Sequence, residues 1–128
     1  MCKLFNIHDY IMALDNGYDT ILLTDATNIN SDVKYVLAII RVLLKRTKIM
    51  LFDETFDYLS KDLSLKVLDI LKDLKQENTI LVITKNKEII ESNYVDNIIV
   101  LDDNKLLTEG KHDDLLKEND YKKIFKKL

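Results

Sequence analysis

Lys48-Ile49-Met50-Leu51-Phe52-Asp53-Glu54-Thr55 is the stretch whose reading decides the fold. Four large apolar residues in succession, with no polar residue between them, run directly into two carboxylates. Such a run predicts a strand buried on both faces, as in a parallel sheet lying under helices. Leu51 is then expected to be a core residue whose truncation clearly destabilises the chain. In such sheets the chemistry gathers at the carboxyl ends of the strands, where Asp53 and Glu54 fall. Pattern alone leaves a plainer alternative, a strand that ends in solvated acids.

The flanks of this strand read as helices. Upstream, residues 27–32 (Thr-Asn-Ile-Asn-Ser-Asp) are a cluster of helix-capping types. They precede a helix expected over 31–45, with Val33, Val36, Leu37, Ile40, Leu43 and Leu44 on one stripe, widened by Ile39 and Val42. Lys45-Arg46 suit the negative end of its dipole. Downstream, Ser60 is positioned to cap a helix running to about residue 76, buried through Leu63, Val67, Ile70, Leu71 and Leu74. A second buried strand is expected over 79–84 and a polar segment over 85–93. Residues 97–101 read as a third strand, turning at Asp102-Asp103-Asn104 into a hairpin partner over 105–108. Two helices follow Gly110. Toward the N-terminus, Leu4, Ile7, Ile11 and Leu14 recur at helical spacing, and Asn16-Gly17 closes that helix. Apolar strands alternating with amphipathic helices make this an α/β layered fold with a mostly parallel sheet.

Composition narrows the function. At 128 residues the chain is one domain or part of one, and its net charge of −3 gives no basic face for nucleic acid. Lys122, Lys123, Lys126 and Lys127 near the C-terminus read as a solvated helix face. The single cysteine, Cys2, suits a reducing compartment, and no apolar run or signal peptide points to a membrane span or export; a cytosolic protein is expected. His8 stands without a second His or Cys at ligand spacing, which favours a packed or surface imidazole over a metal ligand. The glycine count is more telling. With Gly17 and Gly110 as the only glycines, and no proline, neither a glycine-rich loop that cradles phosphate nor a dinucleotide-binding glycine fingerprint exists here.

Leu37-Ala38-Ile39-Ile40-Arg41-Val42-Leu43-Leu44-Lys45, the strand into Asp53-Glu54, and Thr55-Phe56-Asp57-Tyr58-Leu59-Ser60 together resemble the nucleotide-binding domain of ATP-binding cassette (ABC) transporters. That family shows an LSGGQ signature, a helix ending in ARALL, the apolar Walker B strand, then DE and a D-loop reading SALD. Ile7 to Leu14 with Gly17-Tyr18-Asp19-Thr20 is similar to the end of the helical subdomain of exporter-type cassettes, residues 79–84 to the strand before the switch histidine, and residues 98–101 to a later strand. Glu109-Gly110-Lys111-His112-Asp113-Asp114-Leu115-Leu116 is similar to the ending E-G-x-H-x-E-L-L, which accounts for His112 without a ligand role. The resemblance implies a partial P-loop NTPase-like fold: residues 1–26 a remnant of the helical subdomain, and 27–128 the part from Walker B to the C-terminus, ending in a β-hairpin with flanking helices.

The departures matter as much. The signature falls on Ile29-Asn30-Ser31-Asp32-Val33, where Asp32 would set its own carboxylate in the path of a phosphate approaching the helix N-terminus. The D-loop aspartate position is Ser60, Thr55 follows Glu54, and the switch histidine position is Lys85. Lys85 can attract a phosphate as a point charge or stand as a solvated loop lysine, and it lacks a neutral imidazole's hydrogen bonding. By resemblance, Asp53 would orient the Mg²⁺ shell and Glu54 would polarise the attacking water. Phosphoryl transfer is mostly positioning and electrostatics, and those parts are missing, so the chain alone is expected not to hydrolyse ATP.

The implied parent couples ATP to export through a transmembrane domain and a second nucleotide-binding domain, at the inner face of the membrane. Whether the chain is an excised piece or a truncated, degenerate copy stays open, and the isolated chain is expected to self-associate through uncovered apolar surface. The competing reading is a receiver-like or other α/β interaction module using Asp53, Glu54, Thr84 and Lys85. It fails on order, because a receiver needs its acid pair on an early strand and a phospho-acceptor aspartate on a later one.

Overall fold

Burial of helical stripes against one side of a short strand pair organises the molecule, which the computed structural model describes over residues 1–128. Strands β1 (Ile49–Asp53) and β2 (Thr79–Ile83) pair in parallel from Ile49↔Thr79 to Asp53↔Ile83. The crossover between them is α3 (Lys61–Leu74), as a parallel pair requires. Helix α2 (Ser31–Leu44) precedes β1. Val33, Val36, Ile39, Ile40 and Leu43 of α2, Val67, Leu68 and Leu71 of α3, and Met50 and Phe52 of β1 share one buried cluster. Phe5, Ile7 and Ile11 join it from the N-terminal segment.

The structure corrects several sequence expectations. The first helix, α1, is short (His8–Met12), and Phe5 replaces the exposed Leu4 in the core. Gly17, at φ +51°, donates its amide to the Leu14 carbonyl and ends that segment as expected. On α2 the stripe centres on Ile39, while Leu44 at the end of the helix is exposed. The N-cap of α2 is Asn30, whose side chain makes no capping bond, and Ser60 before α3 makes none either. In the polar segment lies an additional turn of helix, α4 (Lys87–Ile90), capped by Asn86 and anchored by buried Ile89.

The largest correction concerns the sheet. Only one of its faces is covered. Ile49 (71% exposed), Leu51 (56%), Leu81 (50%) and Ile83 (49%) line the other face. Leu51 is therefore not a core residue. Alternation sends Met50 and Phe52 to the helices and Ile49 and Leu51 to the open side, and nothing in the chain packs there. An unbroken apolar run records what a strand is suited to, and only half of that is satisfied here.

The hairpin forms as expected: β3 (Ile98–Asp102) pairs antiparallel with β4 (Lys105–Gly110), and Asp103 and Asn104 both take positive φ, +46° and +58°, as a tight two-residue hairpin turn demands. It is a separate sheet, not hydrogen-bonded to β1–β2. Its own small core joins Val100 to Leu115 of α5 (His112–Leu115) and Tyr121 of α6 (Asn119–Lys127). No helix is long and apolar enough to cross a membrane.

Candidate functional site at the carboxyl end of the parallel strands

Because β1 and β2 run the same way in register, their carboxyl ends coincide. Asp53 is the last residue of β1 and stands opposite Ile83. The Glu54 amide extends the ladder by one bond, donating to the Ile83 carbonyl at 2.9 Å. Glu54 itself lies in left-handed conformation, φ +49° and ψ +10°, which costs a non-glycine residue about 1–2 kcal/mol. The strain turns the chain sharply off the strand into a 3₁₀ turn over Thr55–Tyr58. Fully buried Phe56 holds that turn, its ring edge-to-face with Phe52 at 5.6 Å. Asp53, Glu54 and Asp57 are left exposed around this anchor.

Past β2, Thr84-Lys85-Asn86 leads into α4. The Asp57 carboxylate accepts the Thr84 hydroxyl and also the Lys85 amide, at 2.9 and 3.2 Å to its two oxygens. The Asn86 side chain accepts the Ile89 amide at 3.3 Å and donates to the Phe56 carbonyl at 3.2 Å and to Ser64 Oγ at 3.4 Å. Ser64 is the one fully buried polar residue of the core, so this contact lets it sit there. The Lys85 side chain is exposed and enters no ion pair.

Thus the three residues singled out from the sequence, Asp53, Glu54 and Lys85, lie at one end of the sheet. Asp57 and Asn86, which tie the two loops together, were missed. Asn86 carried a usable signal, an Asn three residues before Ile89 at a helix start, whereas nothing local marks Asp57. At the start of α2, the Asn30 amide donates to the Tyr10 hydroxyl at 3.0 Å, and Tyr35 stacks on Tyr58 of the 3₁₀ turn with centroids 4.8 Å apart.

The two histidines are packing residues. His8 Nδ1 is 2.9 Å from the Tyr18 hydroxyl, and His112 Nδ1 is 2.8 Å from the Tyr121 hydroxyl, beside the Phe125 ring. Burial, and secondarily the charge of Glu91, raises Tyr121 above its ordinary value. A cleft of about 590 Å³ is lined by Leu14, Asp15, Asn16, Asp19, Thr20, Ile21 and Asn28; none of the three site residues touches it, and it offers no cation to a phosphate. No three His, Cys, Asp or Glu side chains converge as a metal-binding group. The sequence also holds no glycine-rich loop of the kind that cradles phosphate.

Comparison with known proteins supplies the lineage. No family model matches the chain. It is 35% identical over 114 residues to an ATP-dependent lipid A-core flippase of Saccharophagus degradans, a match covering 89% of this chain and 19% of that protein. It is 33% identical over 124 residues to the ABC transporter ATP-binding protein YfiB of Bacillus subtilis, covering 96% of the chain and 21% of that protein. A bacterial Atm1-family ABC exporter solved with ATP bound superposes with a TM-score of 0.84 at 28% identity, over 98% of this chain and 22% of the exporter chain. The chain thus spans about a fifth of the length of the relatives it matches. Fold and relatives together define the class: the chain is part of an ABC-type ATP-binding domain. Within that class its relatives include lipid A-core flippases and a bacterial Atm1-family exporter.

Proposed function

We propose that the chain is the C-terminal part of an exporter-type nucleotide-binding domain, with residues 1–26 belonging to the helical subdomain and 27–128 running from the Walker B strand onward. The observation that carries this is the shared carboxyl end of β1 and β2, which sets Asp53-Glu54 beside Thr84-Lys85 in the order of the Walker B and switch strands. In this reading Asp53 belongs to the Mg²⁺ shell, Glu54 is the carboxylate that polarises water, and Lys85 replaces the switch histidine as a point charge toward phosphate.

The chain contributes these groups to a site whose phosphate cradle must come from other residues. It would work with a transmembrane domain and a second nucleotide-binding domain, at the cytoplasmic face of the membrane, with no role for nucleic acid. The cargo is open among the kinds named for its relatives, lipid A-core in the flippases and a leukotoxin for the export protein of Aggregatibacter actinomycetemcomitans.

Alone, the chain should bind Mg-ATP only very weakly and release no phosphate above background, because its residues form neither a cradle nor an intact signature. Isothermal titration with Mg-ATP and a phosphate-release assay test both halves. Saturable binding at micromolar concentration, or turnover that Glu54→Gln abolishes, would overturn the reading.

A further inference from the structure

In the D-loop pattern Ser-Ala-Leu-Asp, the polar residues at the two ends have changed places here, since the chain reads Asp57-Tyr58-Leu59-Ser60. The exchange moves the carboxylate from the base of α3 to the middle of the turn after β1. From there it reaches the neighbouring loop, where it accepts the Thr84 hydroxyl and the Lys85 amide. The Thr84 oxygen in turn accepts the Asn86 amide at 3.0 Å. Asp57 thereby engages the backbone of Lys85 and leaves its ammonium without a carboxylate partner.

We propose that Asp57 is a positioning residue that locks the loop carrying Glu54 to the loop carrying Lys85, so that the two move as one unit and present an un-neutralised ammonium beside the acid pair. This rests on the reading of Lys85 as the phosphate-facing residue. The lock itself does not. Charge-assisted hydrogen bonds to a carboxylate are stronger than neutral ones, and this one spans 28 residues of sequence. Motion of the Glu54 turn is then carried directly to Lys85. The Asn86 bond to the carbonyl of buried Phe56 is a second tie between the loops, and Asp57 is the tie that reaches the Lys85 backbone.

Amide hydrogen exchange on the full 128-residue chain tests the lock without nucleotide, so its failure is separable from failure of the nucleotide reading. Asp57→Ala is expected to lower protection of the Lys85 amide about tenfold, the order expected for one lost hydrogen bond to a charged group, while Val36 and Ile39 in α2 keep theirs. Asp57→Asn, which retains one acceptor oxygen, should restore part of that protection. Thr84→Val should lose a smaller part. Unchanged exchange at Lys85 in Asp57→Ala would overturn the proposal. So would an equal loss at Lys85 and in α2, which would make Asp57 a general stabiliser, or a failure of Asp57→Asn to restore any protection.

Discussion

Leu51 and Phe52 are neighbours on β1, and truncating each to alanine separates the covered face of the sheet from the open one. Phe52 is 2% exposed and packs edge-to-face on Phe56 at 5.6 Å. Removing a buried Phe side chain commonly costs about 3–5 kcal/mol, roughly a fifth or more of the stability of an ordinary domain. Leu51 is 56% exposed, so less than half of the roughly 1.5–3 kcal/mol of full burial is at stake, about 1 kcal/mol or less. The two variants should therefore differ by about 2 kcal/mol or more in urea unfolding at low protein concentration, with m unchanged. Equal losses would refute the reasoning. They would mean that Leu51 is covered in solution and that the open face is not open.

Three further outcomes follow from the same contacts. The bare apolar face should drive self-association that rises with concentration in sedimentation and is suppressed by Leu51→Lys; a sharp monomer at high concentration would show the face to be tolerated. Asn86→Ala should cost about 1–2 kcal/mol in urea melts, since it removes the cap of α4 and the bond to the Phe56 carbonyl; a loss near zero would show that the cap is not held in solution. Tyr121 is raised from 10.0, so the unfolded chain gives up its phenol proton first: stability is intact below about pH 10 and falls as pH rises beyond it. Tyr121→Phe should flatten that alkaline loss in thermal melts, and an unchanged slope would place the sensitivity elsewhere.

The strand at 49–53, the start of α2 at Ser31 and the hairpin were legible because each rests on a local signal: an apolar run, a cluster of capping types, and the turn residues Asp102-Asp103-Asn104, of which Asp102 proves to be the last residue of β3. The covering of the sheet was not. The letters Ile-Met-Leu-Phe describe equally a strand packed on two faces and one packed on a single face, and the choice depends on what else lies against it. Asp57 escaped for a related reason, since its partners are 27 and 28 residues away and meet it only because β1 and β2 pair in parallel. Single-turn α4 is shorter than the window over which helical periodicity shows.

The open face and the site at its end bear on one another. Leu51 and Leu81 are register partners, and Asp53 and Ile83 are the next pair on the same face, two residues or about 7 Å further along the strands. Any body that buries Leu51 and Leu81 therefore comes up against Asp53 and the turn that Glu54 begins. Covering the sheet removes water from one side of those carboxylates and brings new groups to where the strands end. Burial of that face would therefore be felt electrostatically at Asp53 and Glu54. The strained left-handed Glu54 is held at the end of β1 with that face open, through the Ile83 carbonyl and the buried Phe56.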